Sequence, residues 1–230
     1  ACSGSSPTCL VNMTMARNVT ATFAAASATI TVSPSGGGTG QVTLPTGGVC
    51  HLPSGGASDT CSGSFSLNST VILTATPAAH SHVTAWSGCT PSPDLSTCSL
   101  TVSGNTTVSV LFALDTFLVN VHPSPAALGT IASGDMNINC GAACGALYPY
   151  GTTVVLNGTP TGTAQFGTWS GSVAGFPCQG STSSSCAFTV TQAVDVTATF
   201  VPQRTLTLNM RPNSAAAGSR VFFGTNTCTT

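Results

Sequence analysis

Thr29-Ile30-Thr31-Val32-Ser33-Pro34 is the stretch on which the reading of this chain turns, because it comes back. Leu118-Val119-Asn120-Val121-His122-Pro123 repeats it, and Leu206-Thr207-Leu208-Asn209 opens a third copy that runs on to Pro212. The three prolines stand 89 residues apart (123 − 34 and 212 − 123). Each run alternates apolar and polar residues, the pattern of a strand buried on one face, and the proline is read as closing it. A second landmark keeps its own interval. Cys9, Cys98 and Cys186 each precede a phenylalanine by 14 residues (23 − 9, 112 − 98, 200 − 186). Self-similarity at a fixed long period is the signature of a tandem array. Such arrays provide reach and surface rather than one catalytic pocket.

The period divides the 230 residues into the C-terminal part of one unit (1–25), two complete units (26–114 and 115–202) and the N-terminal part of another (203–230). Within the first complete unit, strands are expected at Ala28–Ser33, Gln41–Leu44, Ser62–Leu67, Thr70–Thr76 and Val83–Trp86. A hairpin is expected from Ser99–Val102 and Thr107–Phe112, turned at Ser103-Gly104-Asn105. Short β-branched runs between Gly/Ser/Asn turns, with no capped 3.6-residue period, make the fold all-β: small disulfide-stapled sandwich modules in tandem. Asn157-Gly158 alone reads as a hairpin turn, but it aligns with Thr74-Ala75 of the preceding unit and is placed at a strand end. Cys2 and Cys9 match Cys89 and Cys98, and Cys228 follows Pro212 by 16 residues as Cys50 follows Pro34 (228 − 212, 50 − 34). The chain is therefore expected to be a length of something longer, with its true N-terminus elsewhere. Head-to-tail association of the half-units is the less favoured alternative, because neither half carries the central strands.

Units of about 90 residues have thin cores and benefit from staples. The 11 cysteines fit disulfides in an oxidising compartment. Four cysteines in a unit allow three pairings. Their positions around Gly/Ser/Pro loops favour local closure: Cys2–Cys9, Cys50–Cys61, Cys89–Cys98, Cys140–Cys144 and Cys178–Cys186, leaving Cys228 unpaired within the chain. Loops this short contribute roughly 2–3 kcal/mol each on chain-entropy grounds. Neither a Cys-x-x-Cys-His haem site nor a zinc-type Cys-x-x-Cys pair occurs.

Charge is nearly absent. Four arginines (Arg17, Arg204, Arg211, Arg220) and five aspartates (Asp59, Asp94, Asp115, Asp135, Asp195) are the whole complement, without lysine or glutamate. Nucleic acid and anionic membrane both call for clustered cations, so both are disfavoured as partners. Apolar content is too high for charge-driven disorder. No apolar run is long enough for a transmembrane helix, and no signal peptide is visible.

Trp86, Trp169, Phe23, Phe112 and Phe200 recur at fixed places and are assigned to the cores of their units rather than to a sugar-stacking platform. His80 and His82, two apart, are expected on one strand face. Neither has a counterpart in the next unit, and with His51 and His122 scattered no metal site is expected. Gly-x-Ser-x-Gly and His-Glu-x-x-His are absent and no aspartate recurs, so no catalytic residues or cofactor are assigned and the protein is expected not to be an enzyme. Sequons at Asn12, Asn18, Asn68, Asn105 and Asn157 are possible glycosylation sites, though a chain this rich in Ser and Thr generates sequons by chance.

Val71-Ile72-Leu73-Thr74-Ala75-Thr76-Pro77, then Trp86-Ser87-Gly88-Cys89, Cys98-Ser99-Leu100-Thr101-Val102, and a closing Val-Thr-Ala-Thr-Phe (19–23, 196–200) resemble the divergent internalin-type B-repeat family. That resemblance implies a bacterial extracellular or cell-surface protein, β-grasp-like modules and no catalytic residues to carry over. The expectation is a structural subunit or segment of an extracellular filament or stalk. Strand edges with almost no charge to guard them favour self-association or continuation into further repeats. The alternative is a surface adhesin or glycan-binding array using the Cys50–Cys61 and Cys89–Cys98 loops. A third possibility is an accessory region of a secreted enzyme.

Overall fold

In the computed structural model, which describes residues 6, 8, 10–16, 18–53, 59–140, 143–203, 220–223 and 226–229, the chain forms two compact units, Ala1–Asp115 and Thr116–Thr230. Each has its own apolar core.

Unit 1 contains β1 (Ser27–Gly36), β2 (Gly40–Thr43), β3 (Val49–Leu52), β4 (Cys61–Ser66), β5 (Thr70–Pro77), β6 (Ser81–Ser87), β7 (Thr90–Pro91), β8 (Thr97–Thr101) and β9 (Thr106–Leu114). One sheet runs β4-β1-β9-β6 and the other β3-β2-β5-β8-β7. Unit 2 contains β10 (Thr116–Ser124), a 3-10 turn at Ala126–Leu128, β11 (Gly129–Ser133), β12 (Gly145–Pro149), β13 (Thr153–Pro160), β14 (Gln165–Gly171), β15 (Ser185–Thr189) and β16 (Val194–Val201). Its sheets are β12-β10-β16-β14 and β11-β13-β15. A further antiparallel pair joins β17 (Arg220–Phe223) to β18 (Asn226–Thr229).

Alternation decides which side each strand buries. β5 and β13 both read exposed-buried over six residues, putting Val71, Leu73 and Ala75, or Val154, Leu156 and Gly158, inward. The inward residues of both sheets in a unit meet in one cluster: Ile30, Val32, Val110 and Phe112 from one sheet with Val42, Val71 and Leu73 from the other. That is a sandwich. Asn157-Gly158 lies inside β13, opposite Ala132 and Ile131 of β11.

The middle of each sandwich holds its first and last strands side by side and parallel. β1 pairs with β9 from Ile30↔Thr106 to Gly36↔Phe112, and β10 with β16 from Val119↔Val194 to Ser124↔Thr199. Pro34 and Pro123 do not close these strands as expected; both strands run through them. Successive backbone groups in a strand point to alternate sides. The Leu67 N–H donates to Ala26 and the Thr29 N–H to Asn105 Oδ1 on the β9 side. Even-numbered β1 residues therefore face β4, whose pairing ends at Val32↔Cys61. The N–H that Pro34 lacks has no strand opposite it.

The expected hairpin between Ser99–Val102 and Thr107–Phe112 is not formed. β8 pairs with β5 and β7, whereas β9 pairs with β1 and β6, so the turn at 103–105 carries the chain from one sheet to the other. β9 buries Val108, Val110 and Phe112, and Leu100 of β8 packs against the same core from its own sheet. Placing them in opposite layers satisfies that pattern as well as a hairpin does.

Candidate interaction surface and its supports

Four disulfides join Cys50 to Cys61, Cys89 to Cys98, Cys140 to Cys144 and Cys178 to Cys186, with Cα–Cα distances of 5.3, 5.8, 4.2 and 5.8 Å. The first ties β3 to β4 and so bridges the two layers of unit 1. Cys2 and Cys9 lie outside the described residues, as do the side chain of Cys228 in β18 and the Leu206–Asn209 copy of the repeated strand.

The tryptophans do more than fill space. Trp169 is fully buried, its ring tilted against Phe166 at 5.2 Å, and Phe166 meets Phe200 edge-on at 5.6 Å. Its indole N–H reaches out to the Ser183 carbonyl at 2.8 Å, inside the Cys178–Cys186 loop. Trp86 repeats the bond to the Leu95 carbonyl, also 2.8 Å, inside the Cys89–Cys98 loop. Each Trp is thus a strut from core to cystine loop. Trp86 is half-buried and packs against the margin of its core. The difference arises because Phe166 and the 179–181 segment cover Trp169, whose backbone bonds Ser181 and Gly180.

Phe112 and Phe200 are buried as expected, each lying over a glycine that sequence reasoning passed over. A Cβ on Gly40 would fall 2.6 Å from the Phe112 ring, and one on Gly129 only 2.3 Å from Phe200. The 89-residue spacing of these two glycines (129 − 40) was the available signal. Phe23 is corrected: it is 90 % exposed. Among the described residues none before Ser27 belongs to a strand, so no second layer covers its ring.

His80 and His82 do not share a strand face. His80 sits in the turn before β6 with φ 60°, while His82 Nδ1 meets Asp115 Oδ1 at 2.8 Å. In unit 2, His122 Nε2 and Asn120 Nδ2 both approach Asp195 Oδ1, at 3.3 and 3.2 Å, and hold that carboxyl below the usual range. His51 lies 3.9 Å from Asp59. Among the described residues no three potential metal ligands converge. Two other aspartates organise loops. Asp94 accepts Ser92 Oγ–H and the Oγ–H and N–H of Ser96, bonds that bring its pKa down to about 2. Asp135 accepts from Ser133, from the side chain and backbone of Asn137, and from Tyr148, whose hydroxyl pKa burial pushes up. The Asp94 network holds its own turn, while Asp135 ties the turn after β11 to Tyr148 of β12.

The five sequon asparagines are all exposed. The outer face of the β4-β1-β9-β6 sheet is a ladder of hydroxyls. Ser27 faces Ser66, Thr29 faces Ser64 and Thr31 faces Ser62, while Thr31 and Ser33 continue to Thr107 and Ser109. Every one is exposed or half-buried, and none of the four strands bears a formal charge. Such a face offers donors and acceptors at strand spacing, about 4.8 Å across and about 6.7 Å along. At its β6 margin the sheet carries the exposed His82, bonded to Asp115.

The profile described as divergent InlB B-repeat domain matches residues 28–116 and 123–204. No curated protein matches the chain. Among solved structures, the major pilin protein T-13 from Streptococcus pyogenes serotype GAS131465 is 6 % identical, over 75 % of this chain and 96 % of that one, with a TM-score of 0.26. A likeness that loose bears on neither fold nor role.

Proposed function

The chain belongs to the divergent InlB B-repeat domain family, and from that premise we propose that it is a structural segment of a bacterial extracellular surface protein, built to span distance and carry tension rather than to catalyse. The observation that supports this reading is the parallel pairing of first and last strands in each sandwich. Two parallel neighbours bring the chain in at one end of a unit and send it out at the other. Units can therefore follow one another along the chain. One residue, Asp115, separates β9 from β10. Tension on such a unit pulls β1 and β9 in opposite directions along their lengths, so all the hydrogen bonds between them resist together.

Disulfides and scarce charge suit an oxidising exterior. Adhesion to glycans has no specific observation in its favour. Pulling the chain from both ends in a single-molecule instrument tests the proposal. Each unit is expected to yield in one abrupt step. Gradual strand-by-strand unravelling at low force would overturn it, as would failure of antibodies against the chain to label unpermeabilised cells.

A further inference from the structure

The eight sheet edges of the two sandwiches are not equally protected. β6 and β14 carry bulges, between Val83 and Ala85 and between Phe166 and Trp169. β7 is two residues long and ends in Pro91, β3 is four residues followed by Pro53, and β12 ends in Pro149. β11 is bridged to Asn139, and the Cys178 sulfur of the Cys178–Cys186 disulfide lies 3.8 Å from the Ala187 carbonyl on β15. These are the devices that keep edges from pairing with other chains. β4 has none of them. It is six regular residues, Cys61-Ser62-Gly63-Ser64-Phe65-Ser66, with no charge, proline or bulge.

The direction of its backbone groups follows from β1. Since Ala28, Ile30 and Val32 face β4, their partners Phe65, Gly63 and Cys61 take the hydrogen bonds between the strands. Ser62 and Ser64 therefore turn their N–H and C=O away from β1, to the outside. Among the described residues no hydrogen bond reaches those groups. The Ser66 carbonyl, by contrast, is already taken by the Ser69 N–H at 3.2 Å and hydroxyl at 2.7 Å.

We propose that β4 is the edge through which two copies of the chain join, antiparallel, with Ser62 of one copy opposite Ser64 of the other across a two-fold axis at Gly63. A two-fold contact uses the same patch on both copies. This register satisfies all four outward groups of Ser62 and Ser64 on each copy. A shift by two residues toward Ser66 would need a carbonyl that its own turn occupies. Glycine at the axis suits the close, non-hydrogen-bonded approach there. The serines stay on the outer face, so the hydroxyl ladder continues unbroken across an eight-stranded sheet. The pairing is lateral, and it goes beyond the end-to-end reading without depending on it.

Sedimentation of the full chain, carrying Cys228→Ser to exclude a disulfide-linked dimer, tests it. The expected result is a concentration-dependent dimer. Ser64→Pro removes an outward N–H that the fold does not use, and Ser64→Lys places like charges across the axis. Each should weaken association by roughly tenfold or more, while Ala187→Lys on the exposed face of β15 leaves it unchanged. Amide exchange across 61–66 should slow as concentration rises, a readout that needs no substitution. Association unmoved by both Ser64 variants, or exchange at 61–66 that ignores concentration, overturns the pairing. A chain that stays monomeric also overturns it, yet leaves the end-to-end reading standing, because serial units need no lateral contact.

Discussion

At the scale of single residues, the recurrent aromatics work through very small partners. Gly129 is there because the Phe200 ring occupies the space a side chain would need. Gly129→Ala should destabilise unit 2 by about 1–3 kcal/mol, the usual cost of overpacking a core, measured by denaturant unfolding. Trp169→Phe removes the bond to Ser183 and part of a fully buried ring, and should cost about 1–3 kcal/mol. Trp86→Phe should cost less, since that ring is half in water. Asp94 offers a pH test. Its carboxyl is held down from 3.8 to about 2, first by Ser92 and then by Ser96. A carboxyl depressed in the folded state stabilises the loop above its ordinary value and loses that contribution as pH falls toward 2. Carbon-detected titration should place its midpoint near 2, and Ser92→Ala should move it back toward 3.8.

At the scale of elements, the disulfides do unequal work. Cys50–Cys61 joins strands of opposite layers, whereas Cys140–Cys144 closes a loop of separation 4. Replacing Cys50 and Cys61 together by alanine should cost roughly 2–4 kcal/mol, as for a typical disulfide. For a unit of this size that corresponds to roughly 10–25 °C in thermal midpoint. Removing the Cys140–Cys144 pair should cost less, because a shorter loop has less entropy to lose. Calorimetry of the two variants gives the order directly; equal losses would show that bridging the layers adds nothing. The turn residues at 103–105 were legible, but not that they connect two layers, because a turn reverses the chain the same way in either case.

At the scale of the whole molecule, the central β1·β9 and β10·β16 pairs lie outside every cystine loop. Disulfides should therefore leave the force that breaks a unit unchanged and shorten only the length it releases. Loops of separation 11 and 9 in unit 1 lock 20 residues, worth about 70 Å of extended chain. Loops of 4 and 8 in unit 2 lock 12, or about 40 Å. Pulling in reducing buffer should lengthen the two steps by those amounts.

The repeat, the all-β class and the core-facing residues of a strand are legible in the amino-acid order, because all three are written in short-range alternation and a fixed period. That order pointed to Phe112, Phe200 and Trp169 as core residues for the same reason. Which strands are neighbours came from the three-dimensional packing: that first and last lie together and parallel, that β8 and β9 part into different layers, that Phe23 lies bare, and that among the described residues β4 is an edge without a guard. A strand's alternation records its inward face and says nothing of what lies beside it. The parallel partner of β1, β9, lies 76 positions further on (106 − 30), and that choice is made by the whole sandwich closing on its core.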